Sequence, residues 1–262
     1  KGASDLKRMH PKPHRLRAVL GLDAKNPAII LPDADMARTV KECVAGSLSF
    51  NGQRCTALKI LFVHNSRAAE LVDKLSHAIS ELKAGMPWQQ GVAITPLPEP
   101  GKTQFLTELL EDALSKGAKL QNPGGGATTA SLFTPALLYP VNSSMRLYNE
   151  EQFGPLVPVV PYNDINEVID YVVNSNFGQQ LSIFGQNPQQ VGELVDIFAN
   201  QVGRININSQ CQRGPDSFPF NGRKDSAEGT LSVVDALRQF STPTLVAAKY
   251  QQADIDFVKQ MV

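Results

Sequence analysis

The sequence predicts an α/β fold built on a mostly parallel, twisted sheet with flanking helices. Two observations carry this expectation. Short apolar runs alternate along the chain with longer stretches of helical periodicity, the signature of βα units. Hydrophobic residues make up 42% of the 262 positions and charged residues 19%, the balance of a folded globular chain long enough to bury a core.

Taken in order, PAIILP at 27–32 reads as a strand bounded by prolines. DADMARTVKECVAGSLSF at 33–50 reads as a helix capped by Asp33, with Met36, Val40, Val44 and Leu48 on one face. LKILFV at 58–63 is a β-run, and SRAAELVDKLSHAISELKAG at 66–85 is a helix closed by Gly85. KTQFLTELLEDALSKGAKL at 102–120 is a helix with Phe105, Leu109 and Ala113 inward and Gly117 at its end. Strands follow at 136–141, 156–162, 181–185 and 203–208, with INEVIDYVVNS and PQQVGELVDIFANQ as helices around the third of these. QNPGGGATTA at 121–130 is glycine-rich, but without a phosphate loop's strand–helix context or its Lys-Ser/Thr pair it reads as a turn. TPTLVAAKY at 242–250 is a lone β-run, an exposed edge unless a second subunit covers it.

Lys plus Arg equal Asp plus Glu at 25 each, so no global field recruits nucleic acid or an anionic surface. No apolar stretch approaches the ~20 residues of a bilayer span, so no membrane insertion is expected. The three cysteines, at 43, 55 and 211, form no paired framework and no CxxC spacing. A reducing compartment is therefore expected, the cytoplasm or an organelle matrix. The opening residues, KGASDLKRMHPKPHRL, have neither an initiating Met nor an apolar signal core and read as a start part-way through a domain. His10 and His14 straddle prolines that break the helical register, so no metal site is expected there. Trp88 in GMPWQQG is expected to pack on the domain.

SFNGQRCTA at 49–57 raises the chemical question. Cys43 lies within an apolar helical period, and Cys211 in a loop without a base; both read as packing residues. Cys55 instead follows a glycine turn and stands beside Arg54, a charge that favours the nucleophilic thiolate.

Four stretches in order, KNPAIILPDADM, SFNGQRCTA, LYNEEQFGPLVPV and RGPDSFPFNGRKDS, resemble the aldehyde dehydrogenase superfamily. GQRCT and QRGPDSFPF look most like its non-phosphorylating, NADP-dependent glyceraldehyde-3-phosphate dehydrogenases. The resemblance implies a remnant of the dinucleotide-binding domain at 1–24, a catalytic domain at 25–235 and an oligomerisation segment at 236–262. It implies NADP or NAD as cofactor, a phosphorylated small aldehyde (glyceraldehyde 3-phosphate) as substrate, and a homodimer or homotetramer. In this pattern Cys55 is the nucleophile, Arg54 and Arg213 hold the substrate phosphate, Glu151 takes the nicotinamide ribose hydroxyls, and Phe153 lies beside that ring. The family's cofactor half and oxyanion asparagine match nothing here, so this chain alone is expected not to turn over.

One departure bears on mechanism. LGLDAK at 20–25 aligns with the family's Glu-Leu-Gly-Gly-Lys and puts Gly21 where the hydrolytic base belongs. Glycine carries no proton, and loss of a general base slows a step by roughly 10²–10⁴-fold. Asp23 is the nearby carboxylate, displaced and shorter, and the base stays unassigned. Ala227–Glu228 is a second, local departure. The alternatives are a degenerate homologue kept as a structural or assembly subunit, and a thioester-forming variant that passes its acyl group to another thiol.

Overall fold

A computed structural model of the chain describes residues 2–261. Seven strands form its main sheet: β1 (Pro27–Ile30), β2 (Ile60–His64), β3 (Lys119–Leu120), β4 (Ala136–Tyr139), β5 (Leu156–Tyr162), β6 (Gln180–Phe184) and β7 (Arg204–Ile207). Their spatial order is β7-β6-β1-β2-β5-β4-β3, and every pairing is parallel except the antiparallel edge of β3 on β4.

The near-continuous apolar runs of β1 and β2 follow from their central place, because strands covered on both faces have no polar side. Ile29 and Ile60 with Phe62 feed one core, and Ala28 and Ile30 with Leu61 and Val63 feed the other. Helices α1 (Met36–Leu48) and α2 (Asn65–Ser80) cover the second core. Helices α3 (Lys102–Ser115), α4 (Ile165–Asn174) and α5 (Pro188–Phe198) cover the first.

Several element ends differ from the sequence expectation. Helix α1 is capped by Asp35, which accepts from the Arg38 N–H at 3.0 Å. Asp33 instead accepts from the Gln186 and Asn187 N–H groups at 2.9 and 2.6 Å, tying the entry of α5 to the end of β1. Helix α2 stops at Ser80, and Lys83–Ala84 pair with Val92–Ile94, so Gly85 follows a short ladder and caps nothing. Helix α3 stops at Ser115, where Gly117, at φ 103°, supplies the left-handed exit that a side chain resists, and Lys119–Leu120 then join the sheet edge. Trp88 does not pack on the domain: its turn closes on itself through Met86 N to Gln89 Oε1 (2.8 Å), leaving the indole 77% exposed.

The tail also departs from expectation. Residues 242–250 form no strand, and Leu245 and Tyr250 are 90% and 95% exposed, since an isolated run has no neighbour to complete its ladder. Two short helices flank it, α6 (Val233–Phe240) and α7 (Gln252–Lys259). Near the start of the chain, Leu20–Gly21 pair antiparallel with Ala227–Glu228, and Arg17 donates to the Ser241 carbonyl at 2.9 Å. No described helix is long and apolar enough to cross a membrane, and no group of three or more His, Cys, Asp or Glu side chains converges as metal ligands among the described residues.

Candidate active site

The chain leaves α1 through three successive left-handed residues, Phe50 (φ 53°), Asn51 (φ 58°) and Gly52 (φ 69°). Left-handed backbone costs a residue with a Cβ about 1–2 kcal/mol, so such a turn persists only where its surroundings hold it. Asn51 is held from both ends of its amide. Its Nδ2 donates to Thr95 Oγ1, and its Oδ1 accepts from the Thr95 N–H, each at 2.9 Å. Gly52 admits no side chain, since a Cβ there would lie 2.7 Å from the carbonyl oxygens of both Ser47 and Gly154. This turn delivers Cys55, half-buried, into a cleft of about 790 Å³ whose walls include Gly21, Asp23, Phe105, Glu151 and Phe153.

Beneath the cleft lies a buried polar network at the amino ends of β1, β2 and β5. Lys59, 1% exposed, donates from Nζ to the Arg54 and Cys55 carbonyls, each at 3.0 Å, and forms an ion pair with Glu151 Oε1 at 3.0 Å. Asn26 donates to the Cys55 carbonyl at 2.7 Å and to the Ala57 carbonyl at 3.0 Å. Lys25 donates to the Glu150 carbonyl and to Gln152 Oε1, both at 2.7 Å, and Gln152 in turn donates to the Lys59 and Leu156 carbonyls. Every donor in this cluster ends on an acceptor, the condition for burying such groups at modest cost. Burial still pulls both lysines below the usual lysine value: Lys25 well below, with the charge of Lys59 adding to the effect, and Lys59 less so because Glu151 opposes it.

Cys55, Glu151 and Phe153 are thus brought together. Glu151 spends Oε1 on Lys59 and on the Ala24 N–H (3.1 Å), while Oε2 has no protein donor among the described residues. A free acceptor oxygen facing the cleft, with Phe153 beside it, suits the hydroxyls of a ribose and the flat ring attached to it.

The two arginines stand elsewhere, and neither lines this cleft. Arg54 turns back on the end of α1, with Nη2 3.3 Å from the Gly46 carbonyl and 3.3 Å from Gln210 Oε1. Its Nε is buried with no partner among the described residues, and burial lowers its pKa. Arg213, exposed, lies over the Phe220 ring at 5.4 Å in a separate cavity of about 270 Å³ with Asp216 and Ser232. The structure does not bring the two guanidinium groups into one cavity.

Cys43 and Cys211 are both fully buried. Burial pushes the Cys43 thiol far up and Cys211 up to about 11, so both rest as neutral thiols. Gly21 is exposed on the cleft wall, and a Cβ there would touch only Leu231, at 3.3 Å. Asp23, two residues on, is exposed on the same wall and has no hydrogen-bond or ion-pair partner among the described residues.

Sequence reasoning passed over Lys25, Asn26, Lys59 and Gln152. One signal was available, since KNPAII and LKILFV each set a lysine against a run whose apolarity implies a central strand. A lysine there must be buried or bent aside, and a buried one needs a carboxylate or carbonyls.

Comparison with known proteins finds relatives of the chain as a whole. Residues 7–246 match the model of the aldehyde dehydrogenase family. The NADP-dependent glyceraldehyde-3-phosphate dehydrogenase of Streptococcus equinus is 37% identical over 86% of this chain and 46% of its own length. The enzyme of that name from Arabidopsis thaliana is 36% identical over 82% and 42%. The crystal structure of the NADP-dependent glyceraldehyde-3-phosphate dehydrogenase from Bacillus halodurans C-125, complexed with NADP, superposes with a TM-score of 0.81 at 37% identity, covering 86% of this chain and 46% of that one. The chain spans about half the length of the curated relatives it matches.

Proposed function

The chain belongs to the aldehyde dehydrogenase family, and from that premise we propose that it forms the catalytic half of an NADP-dependent oxidoreductase acting on a small phosphorylated aldehyde, glyceraldehyde 3-phosphate. The observation that carries the reading is the placement of Cys55, at the end of a left-handed turn, in one cleft with Glu151 and Phe153.

In this reading the Cys55 thiolate attacks the aldehyde carbon, forming a C–S bond and leaving the carbonyl oxygen as an alkoxide. When that C=O re-forms, a hydride leaves the same carbon and the product is a thioester on Cys55. A bound nicotinamide dinucleotide would accept the hydride. Glu151 Oε2 and Phe153 would hold its ribose and ring against the cleft wall. Arg54 and Arg213, planar and permanently charged, would receive the substrate phosphate, and guanidinium forks suit that anion better than a point charge does. Because the two lie apart, the clamp requires the loop at 212–220 to carry Arg213 toward Cys55. Residues 1–24, 25–235 and 236–262 are read as cofactor-domain remnant, catalytic domain and oligomerisation segment. The tail at 242–250, with no strand partner among the described residues, is read as the strand that joins a neighbour's sheet in a dimer or tetramer.

Gly21 favours a second reading, in which the protein makes the thioester and releases it slowly or not at all, or serves as an assembly subunit. Asp23, on the same wall and without a partner among the described residues, is the nearby carboxylate, displaced and shorter, and the base stays unassigned. A rapid-mix assay of the full-length protein with NADP and glyceraldehyde 3-phosphate separates these readings. Steady NADPH formation supports the hydrolytic enzyme. One equivalent of NADPH per Cys55 followed by arrest supports an enzyme without its base, and no NADPH at all leaves only the subunit reading.

A further inference from the structure

Lys59 occupies a position that packing alone does not explain. Its side chain is 1% exposed, yet its ammonium makes three bonds that all lead to the site. Two go to main-chain carbonyls, those of Arg54 and of Cys55 itself, and the third goes to Glu151. Glu151 arrives from a different segment, just before β5, and is held in turn by the Ala24 N–H ahead of β1. The lysine's own main chain is fixed on both sides: its N–H donates to the Asn26 carbonyl at 2.9 Å, and its carbonyl accepts from Gln152 at 2.9 Å. One cation therefore joins the turn carrying the thiol to a carboxylate that lines the same cleft. An apolar side chain of similar volume would fill the space and make none of these links.

We propose that Lys59 is a positioning residue that locks the Cys55 turn and Glu151 into one unit, so that occupation of the Glu151 side of the cleft changes how the Cys55 thiol is presented. The titratable groups facing it are Glu151, Lys25, Cys55 and Cys211, and Glu151 is the one carboxylate among them. A buried ammonium whose carboxylate partner is drawn toward a ligand must rebalance onto its remaining acceptors, and here those are the two carbonyls of the nucleophile turn. The proposal rests on the reading of Cys55 as nucleophile, and its test keeps the two apart.

The test is site-resolved alkylation of the full-length protein by iodoacetamide, read by peptide mass spectrometry at Cys43, Cys55 and Cys211, with and without NADP. In the wild type, Cys55 is expected to react, at a rate that NADP changes, and the two buried thiols are not. If Cys55 is as inert as they are, the nucleophile reading itself fails, and if NADP leaves its rate unchanged, the proposal fails. Lys59→Met keeps the length of the side chain and removes the charge. The expected result is a Cys55 rate at least about tenfold lower, with Cys43 and Cys211 still protected, and loss of the change in Cys55 rate that NADP produces in the wild type. A lysine that merely filled space would leave that NADP response intact. An unchanged Cys55 rate and NADP response in Lys59→Met overturns the proposal. Should Cys43 and Cys211 become reactive, marking a variant that has opened, Glu151→Gln decides: a Cys55 rate altered at least threefold, at a residue Glu151 does not bond, sustains the coupling, and an unaltered rate overturns it.

Discussion

The wall that carries Cys55 and the region that carries the two arginines are built on different principles. Around Cys55, the turn is pinned by Asn51 to Thr95, its carbonyl is held by Asn26 and Lys59, and the facing carboxylate hangs on the same lysine. Around Arg54 and Arg213 the contacts are longer. Arg54 reaches three neutral oxygens at 3.3–3.4 Å, and Arg213 rests on one aromatic ring. The contrast suits the roles proposed for each. A bond-forming atom misplaced by an ångström loses most of its rate, whereas a mobile anion is captured by charge acting over several ångströms.

The comparison can be broken or sharpened by experiment, beginning with the largest effect. Cys55→Ser in the full-length protein should lower NADPH formation by about 10⁴-fold or more, with NADP binding retained; a smaller loss in initial rates would move the chemistry off this wall. Gly21→Glu comes next. The backbone there is not left-handed and a Cβ meets only the tip of Leu231, so the carboxylate can be installed. It should raise the steady rate relative to the initial burst by roughly 10²–10⁴-fold, and Asp23→Asn in the wild type should abolish whatever steady phase exists. For the arginine region, Arg213→Lys should reduce kcat/KM for the phosphorylated aldehyde by roughly 10–100-fold and leave an unphosphorylated analogue unaffected. Equal losses on both substrates would remove Arg213 from phosphate recognition. Gly52→Ala should cost about 2–4 kcal/mol in urea unfolding, combining a left-handed φ with contacts of 2.7 Å to two carbonyl oxygens. Deletion of 242–262 should change the unfolding free energy by less than about 0.5 kcal/mol, given its exposure, yet convert an oligomer to monomers by sedimentation. An unchanged sedimentation profile would exclude the tail from assembly.

Much of this was legible before any coordinates. LVPVVPY at 156–162 is a strand with both ends as read, because Gly154-Pro155 before it and Asn163-Asp164 after it bracket an apolar run. That Cys55, Glu151 and Phe153 share one cleft was expected from the family resemblance, which takes them from two motifs far apart in the chain. Lys59 was not, since a lysine opening a β-run looks like a solvent-facing alternate. Its burial follows from the sheet order, which sets β2 between β1 and β5, and its partner lies far along the chain. The tail misled for the converse reason. TPTLVAAKY has the composition of a strand, but strand structure is a property of pairs, and among the described residues it finds none. Asp33 and Asp35 were confused because both are carboxylates ahead of a helix, and only the three-dimensional approach of α5 assigns each its own N–H groups.

The fixing of the Cys55 turn to Lys59 has a consequence for how the molecule opens. Lys59 immediately precedes β2, a strand paired on both edges and covered on both faces, whose amides should exchange with deuterium only through global unfolding. The Cys55 turn is thereby moored to the last part of the chain to let go. Breathing at the tail or at the loop of 212–220 can come and go on much faster clocks without disturbing its aim.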